Sequence, residues 1–303
     1  MQDEGRTPLI RGQIRSALFL PGSNARAIAK ASTLPADAIL FDLEDSVGGT
    51  EKELAGRQVA EALAVPHGGG AKRLVRVNGA GHPAQAAELA MAVRAGADGV
   101  LLPKIETPAE ILSIDRQLTE LGAPAGFALW AMIETPLGVL SVAGIAATAS
   151  DTRLGALAVG PNDLVKATGL LPGADRANLQ PWLLAIVLAA RAHGLLVLDG
   201  VFNAFRDEAG FARECESGRA LGFDGKTLIH PGQIPAANAI FGPTAAEIAW
   251  AEKIVAAFAE PGREAVSVIA LEGEMVERLH LESAQALLAG LARQAEREGR
   301  AAG

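Results

Sequence analysis

Tyrosine is absent from this 303-residue chain, and cysteine occurs once, at Cys215. A lone cysteine excludes an intrachain disulfide and suits a reducing, cytoplasmic compartment. The five histidines (67, 82, 193, 230 and 280) are scattered, with no pair at the spacing of a zinc site. Positive charge is in deficit. The net charge of −8 lacks the clustered Lys and Arg that a nucleic-acid binder requires. Long apolar runs are missing too: Leu137–Ser150 and Ala177–Ala190 carry no acidic or basic run of note, yet fall short of a membrane span. The opening segment MQDEGRTPLIRGQIR carries charge throughout and has no apolar stretch of the kind a secretory signal needs. The glycines at 68–70, in GGGAK, lack the length and the Ser or Thr of a phosphate-binding loop.

What is present is a globular composition, 50% apolar and 20% charged, which supports a sizeable core. Eight short apolar runs alternate with helical segments. They are Ser16–Leu20, Ala38–Leu43, Arg73–Val77, Gly99–Leu102, then FALWAMI from Phe127, LGALAVG from Leu154, Leu195–Leu198 and Gly225–Ile229. Continuous apolar strands are expected where a parallel sheet is buried on both faces. Helix starts are predicted at Ser23, as an N-cap, and at Thr50, where Glu53 three residues on suggests a capping box. A doubly wound sheet would want G-x-G-x-x-G after its first strand, and PGSNAR stands there instead. The fold expected is therefore α/β, a (β/α)8 TIM barrel with a small C-terminal helical lid or extension. Residues 1–243 are assigned to the barrel. Residues 244–303 are assigned to an extension packing over a barrel mouth, its own or a neighbouring subunit's. Within it, Thr244 caps a helix, Glu264–Leu271 reads as a strand, EGEM as a turn, and Val276–Gln294 as an amphipathic segment.

Nearly every strand is followed by a charged or special residue: Glu44 and Asp45, Arg76, Lys104, Glu134, Asp163, Asp199 and His230. In a barrel these positions share the C-terminal rim, where such enzymes keep their active sites. Glu134 in IETPLG and Asp163 in GPNDL follow successive strands, and two carboxylates with open positions for water and substrate suit Mg2+. The spacing leaves a second reading open, in which each caps the helix that follows it. Arg76 can clamp a carboxylate or an enolate oxygen, or it can be an ion pair with Asp42 or Glu44. Glu44 and Asp45 can hold waters on the ion or satisfy rim amides. His230 is expected to hydrogen-bond locally, and Lys104 is a formal candidate for a Schiff base.

The segments RSALFLPGS, ILFDLEDSV, RLVRVNG, GVLLPKIET, WAMIETPLGVL, AVGPNDL, FDGKTLIHPGQI and EGEMVERLHLESA together resemble the citrate lyase β-subunit-like and malyl-CoA lyase family. This is the CoA-ester lyase branch of the HpcH/HpaI aldolase superfamily, and the resemblance runs from about Arg15 to Ala289. It implies a Mg2+-dependent barrel, assembled as a homo-oligomer (trimer or hexamer), that cleaves or forms a C–C bond in a 3-hydroxyacyl-CoA. The partners implied are an acyl-CoA thioester and a 2-oxoacid, with no nucleic acid and no membrane. Glu134 and Asp163 match the family's metal ligands, and Arg76 matches its substrate-contacting arginine. The segment Asp42–Asp45, with Glu44 and Asp45, matches the acidic stretch beside the metal. Glu277 stands where the family has an Asp that acts as acid or base, so the carboxylate is kept with one methylene added. Three alternatives stand beside the lyase: an acyl-CoA thioester hydrolase of the same family, an aldolase that uses no CoA, and a citrate lyase β subunit working in a complex on an acyl-carrier-protein substrate.

Overall fold

A computed structural model describes residues 14–65, 70–173, 175–262 and 266–301. The eight apolar runs are the strands β1 (Ser16–Pro21), β2 (Ala38–Asp42), β3 (Lys72–Arg76), β4 (Gly99–Leu102), β5 (Ala128–Ile133), β6 (Leu154–Val159), β7 (Leu196–Asp199) and β8 (Gly225–Leu228). They pair in sequence order, all parallel, and close into a barrel when Ser16, Ala17 and Leu18 of β1 meet Lys226, Thr227 and Leu228 of β8. This is the (β/α)8 TIM barrel that the alternation of strands and helices predicts.

The two-residue period of a strand sorts side chains between two cores. One set, including Ala17, Leu40, Leu74, Leu101, Trp130, Met132, Ala158 and Leu198, fills the barrel interior. The alternate set, including Leu18, Ile39, Val75, Val100, Leu129, Leu157 and Val197, packs against the surrounding helices. These are α1 (Ala25–Lys30), α2 (Lys52–Ala64), α3 (Gln85–Arg94), α4 (Pro108–Glu120), α5 (Pro136–Ala147), α6 (Pro161–Thr168), α7 (Gln180–Ala192), α8 (Glu208–Leu221) and α9 (Ile234–Phe241). Inward residues at the C-terminal strand ends are no longer apolar: Asp42 and Arg76, paired in register, continue the inward row. The core thus gives way to a polar site where the strands end.

Two helix starts differ from expectation. The N-cap of α1 is Asn24, whose side chain accepts from the Ala27 amide at 3.0 Å, rather than Ser23. Helix α2 begins at Lys52 after Glu51, with no side-chain cap, so Thr50 and Glu53 form no capping box. The eighth strand ends at Leu228, and His230 caps a 3-10 turn over Pro231–Gln233 that leads into α9. The glycine turn read at 68–70 lies mostly outside the described residues.

The chain divides into two compact units, Ile14–Phe241 and the described residues from Gly242 onward. In the second, Thr244 and Glu247 form a capping box on α10 (Ala245–Phe258). Strands β9 (Val268–Leu271) and β10 (Glu274–Glu277) form an antiparallel hairpin, followed by α11 (Arg278–Ala301). EGEM is therefore not simply a turn. Only Glu272 (φ +51°) and Gly273 (φ +88°) turn the chain, and two successive positive φ angles are what a tight hairpin turn needs. The strand read from Glu264 starts at Val268, and Glu264 itself lies outside the described residues.

Candidate active site

Asp45, Arg76, Glu134 and Asp163 line one cavity of about 360 Å³ at the C-terminal end of the barrel, together with Phe19, Met132, Asn162 and Thr227. Strand β3 delivers Arg76 and β5 delivers Glu134, one residue past its last paired position. Asp163 lies in the first turn of α6, whose N-cap is Gly160. Thr135, not Glu134, caps α5, accepting from the Gly138 amide at 3.0 Å. Glu134 is thereby left free of the helix and faces the cavity.

Glu134 is 2% exposed. Its Oε1 accepts from the Lys104 amide at 2.8 Å, while its Oε2 lies against Gly160. A Cβ at Gly160 would stand 2.2 Å from that oxygen, so only glycine lets the β6 end approach so closely. Burial pushes the Glu134 carboxyl up to about 7, with the charges of Asp163 and Glu44 adding to the rise against the Lys104 amide and Arg76.

Arg76 is held by a fork. Its Nε donates to Asp42 Oδ1 and its Nη2 to Asp42 Oδ2, both at 2.6 Å. Nη1 lies 3.2 Å from Glu44 Oε2, and the guanidinium stands 4.8 Å from the Phe19 ring centroid. Such bidentate geometry fixes the plane of the arginine and leaves Nη1 as its presenting edge. Burial works to raise Asp42, but the hydrogen bonds and charge of Arg76 outweigh it and hold the carboxyl below its usual range. Glu44 is pushed upward by burial in spite of Lys104 and Arg76. Asp45 is the more open carboxylate, with its side chain 57% exposed.

Lys104 is the residue whose importance the motif pattern understated. Its φ is +54°, a conformation an L side chain seldom takes. Its amide serves Glu134, and its Nζ makes a close ion pair with Glu44 and a 3.4 Å contact with Asp45. Burial opposes its charge, but these carboxylates raise its pKa, which removes it as a Schiff-base amine. The unusual backbone has no sequence signature other than the Pro103 before it.

One rim assignment changes, that of Asp199, while His230 keeps the local role expected of it. Asp199 points outward, away from the cavity, because it occupies the alternate parity on β7. It is fully buried with Lys226, whose Nζ donates to it at 2.7 Å, and with Arg176, which donates at 2.9 and 3.0 Å. Glu214 completes the group, 2.8 Å from Lys226 and 3.1 Å from Arg176. Beside them, burial pushes the Cys215 thiol up to about 12, so it is inert. The sequence reading missed Lys226 and Arg176; a lysine inside the apolar run GKTL was the available sign. His230 bonds locally, accepting from the Gly232 amide at 3.1 Å, and stacks on Phe205 with centroids 4.9 Å apart. In the second unit, the Glu277 amide donates to His280 Nδ1 at 2.9 Å.

The HpcH/HpaI aldolase/citrate lyase family model matches residues 15–231. The chain is 45% identical over 275 residues to a (3S)-malyl-CoA thioesterase of Cereibacter sphaeroides, covering 91% of this chain and 93% of the relative. It is 36% identical over 279 residues to the citrate lyase subunit beta of Escherichia coli, covering 90% and 92%. Among solved structures, CitE of Mycobacterium tuberculosis in complex with magnesium, acetoacetate and coenzyme A superimposes with a TM-score of 0.72 at 29% identity, covering 94% of this chain and 100% of that one.

Proposed function

Because the chain belongs to the HpcH/HpaI aldolase/citrate lyase family, we propose that it is a Mg2+-dependent enzyme acting on a 3-hydroxyacyl-CoA thioester of the malyl-CoA type, and that it hydrolyses the thioester. The observation that carries the metal and the substrate class is the cavity that Glu134, Asp163, Arg76 and Asp45 line together. Among the described residues no group of three or more His, Cys, Asp or Glu is arranged to hold an ion. A two-carboxylate site fits Mg2+, which keeps waters and takes further oxygens from its substrate. It also fits the electrostatics, since a cation held by Glu134 and Asp163 would offset the burial and repulsion that push Glu134 up to about 7. Glu134 and Asp163 would hold the ion, which when bound supplies Lewis-acid polarisation of a substrate oxygen.

The remaining steps belong to side chains. Nη1 of Arg76, aimed by the Asp42 fork, donates to a substrate carboxylate or to the oxygen on which charge develops. Asp45, the open carboxylate of the cavity, takes the proton of the attacking water as its oxygen bonds to the thioester carbon, and returns it to the CoA sulfur as the C–S bond breaks. Glu44 holds Nη1 and Lys104 in place. Hydrolysis is favoured over C–C cleavage by the 45% identity to a thioesterase, against 36% to a citrate lyase β subunit.

The second reading is the retro-Claisen lyase, favoured by a structural neighbour crystallised with magnesium, acetoacetate and coenzyme A. In it the C–C bond breaks to a 2-oxoacid and an acyl-CoA, Arg76 stabilises the enolate oxygen, and Glu277 exchanges the proton at carbon. A β subunit acting on citryl-acyl-carrier protein is a variant of this reading. A homo-oligomer, trimer or hexamer, in the cytoplasm is part of the proposal, as is packing of the C-terminal extension over a barrel mouth. Incubating purified protein with malyl-CoA and Mg2+ and resolving products by mass separates the readings. Malate with free CoA supports hydrolysis, whereas glyoxylate with acetyl-CoA in equal amounts supports the lyase. Full turnover in EDTA would refute the metal assignment.

A further inference from the structure

The residue that joins the two halves of the cavity is not one of the ligands. We propose that Lys104 is a positioning residue, held in a left-handed backbone so that its amide fixes Glu134 while its ammonium restrains Glu44 and Asp45. The inference rests on the Mg2+ reading of Glu134 and Asp163.

Glycine is the ordinary occupant of a position at φ +54°. A lysine there accepts an unfavourable backbone, and what it adds over glycine is a cation. That cation is spent within the site. Nζ is paired with Glu44 Oε1 and lies 3.4 Å from Asp45 Oδ1. The other oxygen of Glu44 contacts Arg76 Nη1 at 3.2 Å. The amide of the same residue donates to Glu134 Oε1 at 2.8 Å. One continuous chain of contacts therefore runs from Glu134 through Lys104 and Glu44 to Arg76 and Asp42. A backbone in the ordinary β or α region would send the amide and the side chain in other directions, and the chain would break at Lys104.

The sign of the effect on metal binding distinguishes this role from mere loop stabilisation. The ammonium stands among Glu44, Asp45 and Glu134 and opposes a second cation beside them. Its removal should strengthen Mg2+ binding, because it takes away like charge and frees two carboxylates. It should weaken turnover, because Glu44 no longer has a fixed place beside Arg76.

The test compares K104G, K104M and K104R with the wild type by calorimetric Mg2+ titration, thermal denaturation and steady-state kinetics on malyl-CoA. K104G should keep or raise the melting temperature, since it relieves the backbone and keeps the amide on Glu134. Its Mg2+ Kd should fall roughly three- to tenfold, and its kcat should fall about tenfold or more, as loss of a charge-assisted contact predicts. K104M should repeat the metal and kcat effects without the gain in stability, and K104R should recover kcat to within a few-fold. Wild-type Mg2+ affinity and kcat in K104G would overturn the proposal. So would a K104G that loses stability and Mg2+ binding together, which is the signature of a structural role. A wild type that binds no Mg2+ or turns over no thioester fails the functional reading instead, before any variant is made.

Discussion

Two charged networks lie near the C-terminal ends of the strands, and they are built on opposite principles. The outer one joins Arg176, Asp199, Lys226 and Glu214. It has two cations and two anions, and Asp199 and Lys226 have no solvent exposure. The inner one places Asp42, Glu44, Asp45, Glu134 and Asp163 around Arg76 and Lys104, with the Lys52 ammonium behind them on the Leu43 and Glu44 carbonyls, so among the described residues the carboxylates outnumber the cations. A balanced, sealed network satisfies itself and serves the fold. An unbalanced one beside a cavity is held ready for a charge that comes from outside. Conserving the parity of a strand is what separates them: Asp42 and Arg76 lie in the inward row, and Asp199 and Lys226 in the outward one.

The contrast can be broken from either side. The largest stability effect is expected on the balanced side. Lys226→Met leaves Asp199 and Glu214 short of a cation in a dry site, and unfolding should become easier by about 3–5 kcal/mol, as for other broken buried pairs. Chemical denaturation checks this, and the folded fraction should retain Mg2+ binding. The largest effect on chemistry is expected on the other side. If Glu134 holds Mg2+ as proposed, Glu134→Gln should lower kcat/KM by about a hundredfold or more and abolish calorimetric Mg2+ binding without loss of thermal stability.

The unbalanced side also has a pH signature. Burial raises Glu134 from 4.5 to about 7, so between those values the metal-free folded state holds more protons than the unfolded one. Its stability should therefore fall as pH rises through that window and level off above it. Added Mg2+ should raise the melting temperature more at pH 8 than at pH 5, and Glu134→Gln should flatten both trends. An equal Mg2+ effect at the two pH values would count against Glu134 as a ligand. The smallest effect is expected from Gly160→Ala. Its new methyl collides with Glu134 Oε2, and an activity loss of several-fold, with a weaker Mg2+ titration, should follow from displacement of that carboxylate.

Much of this was legible without coordinates. Continuous apolar runs alternating with helical segments predict the barrel, because buried parallel strands must be apolar throughout and must be joined by helices. The motifs around Arg76, Glu134 and Asp163 place those residues at strand ends, where the cavity is found. Other features were not legible. Thr50 and Glu53 have the spacing of a capping box and do not form one, because the chain turns at residues 49–51 before α2 starts. Asp199 stands at the end of a strand much as Glu134 does, yet points the other way.

The alternation of strands and helices, the identity of the rim residues and the family follow from the order of side chains, because apolar runs and local motifs are written in it. Which charges face the cavity and which are sealed behind the strands came from closure of the barrel. Direction depends on the register in which β1 meets β2 and β8, and register is set by all eight strands closing together. Tertiary structure likewise sets the positive φ of Lys104, since a backbone held in that region is held by its surroundings and not by its own residue type.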